Sequence, residues 1–253
     1  MYAAVYHDQG SGEFSRAALV DALSARFRVR RIYAREIVAS DAWHAQTALL
    51  AFPGGADLPY CRALNGAGNG SIRRYIEAGG RFLGVCAGAY YVSRRIAFEA
   101  EAPGAITGER ELALFEGTAR GSLHDLAEPY SLAHLRCAAL APVRSTATRE
   151  RLHALYWGGP EFIPDPGASF TPLLEYESPA RLAALRTEIG RGRVVLTGVH
   201  AEVRGAQLPI EVSRFGDDSF EHGMRLSAEL SQLDAERQSV FDLLLDALAV
   251  RSR

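Results

Sequence analysis

The run Arg81-Phe82-Leu83-Gly84-Val85-Cys86-Ala87-Gly88-Ala89-Tyr90-Tyr91 decides the fold. Phe82–Val85 is a short apolar stretch of strand type, and Ala87–Arg95 reads as a helix. Between them, Gly84-Val85-Cys86-Ala87-Gly88 places a glycine two residues to either side of a cysteine. A side chain on a sharp strand-to-helix turn needs small neighbours at those two positions, because the chain folds back on itself there. Such an elbow projects Cys86 beyond the carboxyl end of its strand. The helix N-terminus behind it favours a thiolate. A buried structural cysteine in a small-residue turn fits the same five residues, so a base and an acid elsewhere must distinguish the two readings.

Both are present. Val194-Val195-Leu196-Thr197-Gly198-Val199-His200-Ala201-Glu202 is an apolar strand ending in a histidine, with a glutamate two residues on. Parallel strands bring their carboxyl ends to one edge, so His200 can meet Cys86 there. In an extended segment, residues two apart share a face, so Glu202 can orient His200. The other six histidines lack this setting. Upstream, Phe52-Pro53-Gly54-Gly55-Ala56-Asp57 ends a strand in two glycines that let a backbone N–H approach a carbonyl oxygen. The Gly55 and Ala87 N–H groups are the expected oxyanion donors.

Working outward, Tyr2–Tyr6, Val29–Tyr33 and Thr47–Phe52 read as further strands. Ser15 is expected to cap a helix running to Phe27, and Ile72–Ala78 is a second helix stopped by Gly79-Gly80. This alternation predicts a mainly parallel sheet covered on both faces. From Ile96 to about Arg193 the helical period fades. Ser131–Leu135, Leu152–Trp157, Leu173–Tyr176 and Ala183–Ile189 are expected as antiparallel strands extending one side of the sheet. Ser227–Val250 closes the chain as an amphipathic helix. No linker or repeat interrupts the 253 residues, which predicts one domain over 1–253.

Composition narrows the function. The net charge of −2 offers no field for nucleic acid. All 28 basic residues are arginine, which excludes Schiff-base and Walker A lysine chemistry. Cys61, Cys86 and Cys137 are too few and scattered for a disulfide scaffold, and no CxxC or HExxH pattern suggests a metal. No run approaches the ~20 apolar residues of a membrane span, and the first residues lack the signature of a signal peptide. A cytoplasmic protein without metal or cofactor is expected. Gly10-Ser11-Gly12 brushes the dinucleotide fingerprint but lacks its third glycine. Glu13 in that loop is expected to be solvated.

The elbow, the Gly-Gly loop and the His-x-Glu segment, in this order, resemble the class I glutamine amidotransferase-like superfamily. Within it, the chain looks most like the N-terminal domain of eukaryotic-type biotin–protein ligases and its stand-alone relatives. That resemblance rests on Pro53-Gly54-Gly55-Ala56-Asp57-Leu58-Pro59-Tyr60, Leu64-Asn65-Gly66, the run around Cys86, Tyr156-Trp157-Gly158-Gly159-Pro160 and Gly198-Val199-His200. It implies an α/β fold, a flavodoxin-like three-layer sandwich with a mainly parallel central sheet, extended by antiparallel strands from the middle of the chain. It also implies Cys86, His200 and Glu202 as a triad. Glutamine-hydrolysing members carry glutamine where this chain has Tyr90, which argues against glutamine as substrate. Gly190-Arg191-Gly192-Arg193 imitates a ligase loop but reads as a turn before a strand. The length leaves no room for a ligase domain.

The expected function is an amidase-like hydrolase acting on a small molecule, with Gly54, Asp57, Tyr60, Tyr90 and Trp157 around the substrate. The alternative is a non-catalytic ligand-binding or regulatory module of the same fold. A partner protein or a second copy of the chain is compatible with either.

Overall fold

A computed structural model describes residues 1–177 and 179–250, apart from the side chains of Asp217 and Asp218. In chain order the strands are β1 (Tyr2–Tyr6), β2 (Val29–Ile32), β3 (Thr47–Phe52), β4 (Arg81–Val85), β5 (Ser93–Phe98), β6 (Ile106–Glu109) and β7 (Phe115–Gly121). They continue as β8 (Ala138–Ser145), β9 (Arg151–Trp157), β10 (Glu161–Pro164), β11 (Thr171–Tyr176), β12 (Arg181–Ile189), β13 (Gly192–Thr197) and β14 (Val199–His200). The helices are α1 (Glu13–Ser24), α2 (Ala34–Ala39), α3 (Asp57–Leu64), α4 (Ala67–Glu77), α5 (Ala87–Val92), α6 (Leu208–Val212), α7 (Asp217–Gln232) and α8 (Asp234–Leu248).

One sheet of ten strands runs β14-β9-β8-β11-β12-β13-β4-β3-β1-β2. Its β2-β1-β3-β4-β13 half is parallel, in the strand order of flavodoxin-like proteins. The other half, from β13 through β12, β11, β8 and β9 to β14, is antiparallel throughout. Alternate residues of the parallel strands feed two cores. Ala3, Val5, Leu49, Ala51, Leu83, Val85 and Val195 pack with Leu19 and Leu23 of α1 and with Val240, Phe241 and Leu244 of α8. Ala4, Tyr6, Leu50, Phe52, Phe82 and Leu196 face α3, α4 and α5 on the opposite side. The result is the expected three-layer α/β arrangement.

The antiparallel half is rolled rather than flat. β13 and β14 are separated by Gly198 alone, yet they lie at opposite ends of a six-strand antiparallel run. One residue spans at most ~3.6 Å, so the far edge must curl back to the centre of the sheet. Glycine permits the closure. A Cβ on Gly159 would sit 1.8 Å from the Gly198 carbonyl oxygen, and one on Gly198 would sit 2.0 Å from that of Pro160. A separate four-stranded sheet, β10-β7-β5-β6, packs beside α5.

Four local readings differ from expectation. The helix after the elbow stops at Val92, and Ser93 to Phe98 pairs as β5 with β6 on one side and β7 on the other. Ser131–Leu135 is irregular rather than a strand. The closing helix is two, broken at Leu233 (φ −105°, ψ 20°), where α7 ends and α8 begins. Helix α1 is capped by Gly12, and Ser15 lies inside its first turn with its hydroxyl turned to other partners.

Candidate functional site

The elbow has the geometry its glycines imply. Cys86 stands at φ 48°, a left-handed conformation costly for a residue with a Cβ. Its N–H donates to the Thr197 carbonyl at 2.9 Å, tying β4 to β13 at the turn. A Cβ on Gly88 would meet the Phe52 carbonyl at 2.4 Å, and one on Gly84 the Gly88 carbonyl at 2.9 Å. Cys86 is 8% exposed, at the floor of a pocket of about 690 Å³. Its sulfur lies 3.7 Å from the Trp157 carbonyl oxygen.

His200 enters the same pocket from β14. Its Nδ1 lies 2.8 Å from Glu202 Oε1, leaving Nε2 as the nitrogen available to the cysteine. Both side chains are buried. The contact is made by a turn rather than by an extended strand: the strand ends at His200, and Val203 N–H donates back to the His200 carbonyl. Burial alone would lower the His200 pKa. The Glu202 carboxylate and the adjacent Cys86 outweigh it and raise the value to about 10. Glu202 thus favours the protonated imidazole, with Nδ1–H donating to its carboxylate.

Two residues that carry no catalytic signature in the sequence hold this segment. The Ser15 hydroxyl donates to Glu202 Oε1 at 2.9 Å and accepts the Gly54 N–H at 2.9 Å. It thus joins the glycine loop to the acid. Arg237 of α8, 2% exposed, donates from Nη1 to the Ala201 carbonyl between His200 and Glu202. Only a reading of tertiary contacts finds either, since each acts on residues far away in the chain.

The glycine loop presents one unclaimed donor. It pairs with the Gly10–Gly12 segment through Gly12 N–H to the Gly54 carbonyl and Ala56 N–H to the Gly10 carbonyl, both 2.8 Å. That pairing leaves the Gly55 N–H without a backbone acceptor among the described residues. At φ 145°, with a would-be Cβ 2.0 Å from the Gly10 carbonyl, this position admits only glycine. Gly55 and Ala87 both line the pocket. The Gly54 N–H belongs to Ser15, so Gly54 contributes space instead: a Cβ there would meet His200 Cε1 at 2.6 Å.

The remaining expected site residues separate. Tyr90 and Trp157 line the pocket, as does Asp57, which is buried and paired at 2.6 Å with Arg110 Nε. Tyr60 does not. It is fully buried among Tyr6, Phe52 and Tyr91 and donates its hydroxyl to the Pro53 carbonyl at 3.0 Å, so it supports the loop from the core. The Tyr90 hydroxyl donates to the Gly158 carbonyl at 3.1 Å. Glu13 is exposed and paired with Arg214. Among the described residues no cluster of His, Cys, Asp or Glu is placed to hold a metal, and no helix is long and apolar enough to cross a membrane.

With this geometry in place, comparison with known proteins is informative. The biotin-protein ligase N-terminal family model matches residues 1–253. An uncharacterized protein of Chlamydia muridarum is 31% identical over 210 residues, 78% of this chain and 79% of that protein. The biotin–protein ligase of Schizosaccharomyces pombe is 30% identical over 173 residues, 66% of this chain but only 27% of the ligase. Among solved structures, a glutamine amidotransferase of Thermotoga maritima superposes with a TM-score of 0.63 at 11% identity, covering 99% of this chain and 100% of that one. One from Methylobacillus flagellatus gives 0.56 at 12%, covering 100% and 96%. The chain belongs to the biotin–protein ligase N-terminal family and has a class I glutamine amidotransferase-like fold.

Proposed function

We propose that the chain is an amidase-like hydrolase of one domain in which Cys86 is the nucleophile, His200 the proton carrier and Glu202 its orienting acid. The observation that carries this reading is the buried 2.8 Å contact between His200 Nδ1 and Glu202 Oε1, beside a cysteine held at φ 48°. His200 Nε2 takes up the Cys86 thiol proton. The sulfur attacks an amide carbonyl carbon, and the Gly55 and Ala87 N–H groups hold the oxyanion. As the C–N bond breaks, His200 Nε2 gives its proton to the leaving amine. The neutral ring then takes a proton from water, the hydroxide adds to the thioester, and the C–S bond breaks to release the acid. Ser15 and Arg237 act as positioning residues. The unpaired cysteines support a reducing compartment such as the cytoplasm.

Cys61 and Cys137 are internal controls for the test. Burial pushes the Cys61 thiol up to about 11 and raises that of Cys137 as well. Iodoacetamide at neutral pH, followed by peptide mass spectrometry, should label Cys86 at least tenfold faster than either. Equal rates would overturn the nucleophile.

The second reading, a binding module, is favoured by one observation. Tyr90 stands one helical turn beyond the elbow with its hydroxyl proton already committed to Gly158, so it offers no free donor to a substrate carbonyl. A reactive Cys86 that never forms an acyl-enzyme with any activated acyl donor would select this reading. Biotin ligation is not assigned to this chain, which matches about a quarter of the ligase it resembles.

A further inference from the structure

The pocket around Cys86 has two aromatic walls, and they differ in their relation to the proposed machinery. Phe14, Trp157 and Phe215 stand on one side, with ring centroids 6.1 Å and 6.3 Å apart. This wall adjoins His200: Phe14 precedes Ser15, and β9, which carries Trp157, pairs with β14. A leaving group must lie beside the residue that protonates it, so this side belongs to the amine. The second wall begins one helical turn beyond Cys86 and adjoins the first at Gly158, next to Trp157, where the Tyr90 hydroxyl donates to the Gly158 carbonyl and Tyr130 lies against its Cα. Tyr90 meets Phe98 edge-on at 5.6 Å, and Phe98 meets Tyr130 at 5.4 Å. Ile96, Ile106 and Leu132 complete it, with Leu132 84% exposed at the rim. Tyr130 is held in place by its N–H, which donates to Glu99 Oε1 at 2.9 Å.

The charges at the pocket are mostly spent. Asp57 pairs with Arg110, and Glu13 and Glu211 share Arg214. Among the described residues, Arg62 alone of the charged lining side chains has no ion-pair partner, and it is exposed. Glu13 and Glu211 together carry one negative charge more than Arg214 neutralises, but that excess stands beside Phe14 and Phe215; the Tyr90–Phe98–Tyr130 wall carries no charged side chain, so a free amino acid headgroup finds no counter-charge along it. A volume of about 690 Å³ is in the range that holds drug-sized ligands.

Building on the proposed acyl transfer, we infer that the Tyr90–Phe98–Tyr130 wall is an acyl subsite, and that the substrate is an amide of a bulky apolar carboxylic acid rather than of glutamine. The apolar acyl group lies along this wall, transfers to the Cys86 sulfur as the amine leaves on the His200 side, and departs as the free acid.

Two measurements test this separately from the nucleophile. Acylation of Cys86 by p-nitrophenyl acetate, hexanoate and phenylacetate is followed by intact mass, with γ-glutamyl-p-nitroanilide as the amino acid donor. Hexanoate and phenylacetate should react about tenfold faster than acetate after correction for their spontaneous hydrolysis, and the γ-glutamyl donor should not react. Phe98→Ala and the rim variant Leu132→Ser should shrink that preference, read as the hexanoate-to-acetate ratio so that any change in the reactivity of Cys86 itself cancels. In parallel, calorimetry on the Cys86→Ala protein should detect phenylacetamide, weakened about tenfold by Phe98→Ala, and no glutamine. A flat acyl preference, or phenylacetamide binding indifferent to Phe98→Ala and Leu132→Ser, overturns the subsite even if Cys86 proves reactive. An unreactive Cys86 overturns the nucleophile, and calorimetry then decides the subsite alone.

Discussion

Cys86 and His200 reach one pocket from two halves of the same sheet, and the halves are built by different rules. The parallel half delivers Cys86 from the end of β4, on a turn whose steric needs fall on two glycines of one five-residue run. The antiparallel half delivers His200 from β14, which reaches the site only because six strands roll back on themselves. The elbow is the more compact object, fixed by Gly84 against Gly88 and by Gly88 against Phe52 of the adjacent strand β3. The base is a global one, fixed by Gly159 against Gly198, by Arg237 from α8 and by Ser15 from α1. A compact device tolerates distant change, whereas one assembled from four segments fails if any of them moves.

The largest expected effect breaks the roll and spares the elbow. In Gly159→Ala the new Cβ would fall 1.8 Å from the Gly198 carbonyl oxygen, with backbone on both sides and nothing flexible to yield. The cost should be about 3 kcal/mol of stability by urea unfolding. Cys86 labelling by iodoacetamide should drop towards the rate of Cys61 in the protein that remains folded. Labelling at the wild-type rate would show that His200 is held without the closure.

A smaller effect separates charge from position. Glu202→Gln keeps an oxygen for His200 Nδ1–H and for Ser15, but removes the carboxylate that raises the imidazole. Iodoacetamide labelling of Cys86 at neutral pH should fall about 100-fold. The same change should alter stability against pH. A histidine raised from 6.5 to about 10 binds its proton more tightly in the folded chain. Its contribution is fully present below pH 6.5 and is lost as pH rises through about 10. Wild-type stability should therefore decline across that window, and Glu202→Gln should flatten the decline. An unchanged profile would remove Glu202 as the cause of the shift.

Legibility in the sequence follows the same division. Strand β3 is readable to the residue because an apolar run ends in Pro53-Gly54-Gly55, and the end of β4 because Gly84 and Gly88 bracket one side chain, while its polar first residue, Arg81, falls outside the reading. Cys86, His200 and Glu202 were legible as residue types in the right order along the chain. The antiparallel half was only partly so. β8 contains Pro142 in an interior strand, where the missing N–H argues against a strand at all. β5 was hidden behind a helical reading of Ala87–Arg95, and with it the second sheet and the Phe98 wall. Tyr60 carries the motif's tyrosine but turns into the core, since a tyrosine beside a glycine loop reads the same whichever way it faces. Ser15 reads as a cap because serine before an apolar period commonly is one. Nothing local announces that its hydroxyl faces Glu202, 187 residues away.

Ser15 offers the finest test of how the halves are coupled. Its hydroxyl takes a hydrogen from Gly54 in the parallel half and gives one to Glu202 at the end of the roll. Removing it leaves the Gly54 N–H without its acceptor and Glu202 Oε1 with His200 alone. One hydrogen bond to a charged group contributes about 1.5 kcal/mol or somewhat more. If about 1 kcal/mol of that is felt as positioning, Ser15→Ala should slow iodoacetamide labelling of Cys86 about fivefold. Lost packing alone would lower stability and leave the His200 titration where it is. A positioning role instead requires that titration to move, because a carboxylate free to turn holds the imidazolium less firmly. NMR of the His200 ring should find its pKa lower in Ser15→Ala, and Ser15→Thr, which keeps the hydroxyl, should restore both the titration and the labelling rate. A titration unmoved in the alanine variant would reduce Ser15 to a packing residue and leave the two halves joined by the β12–β13 ladder.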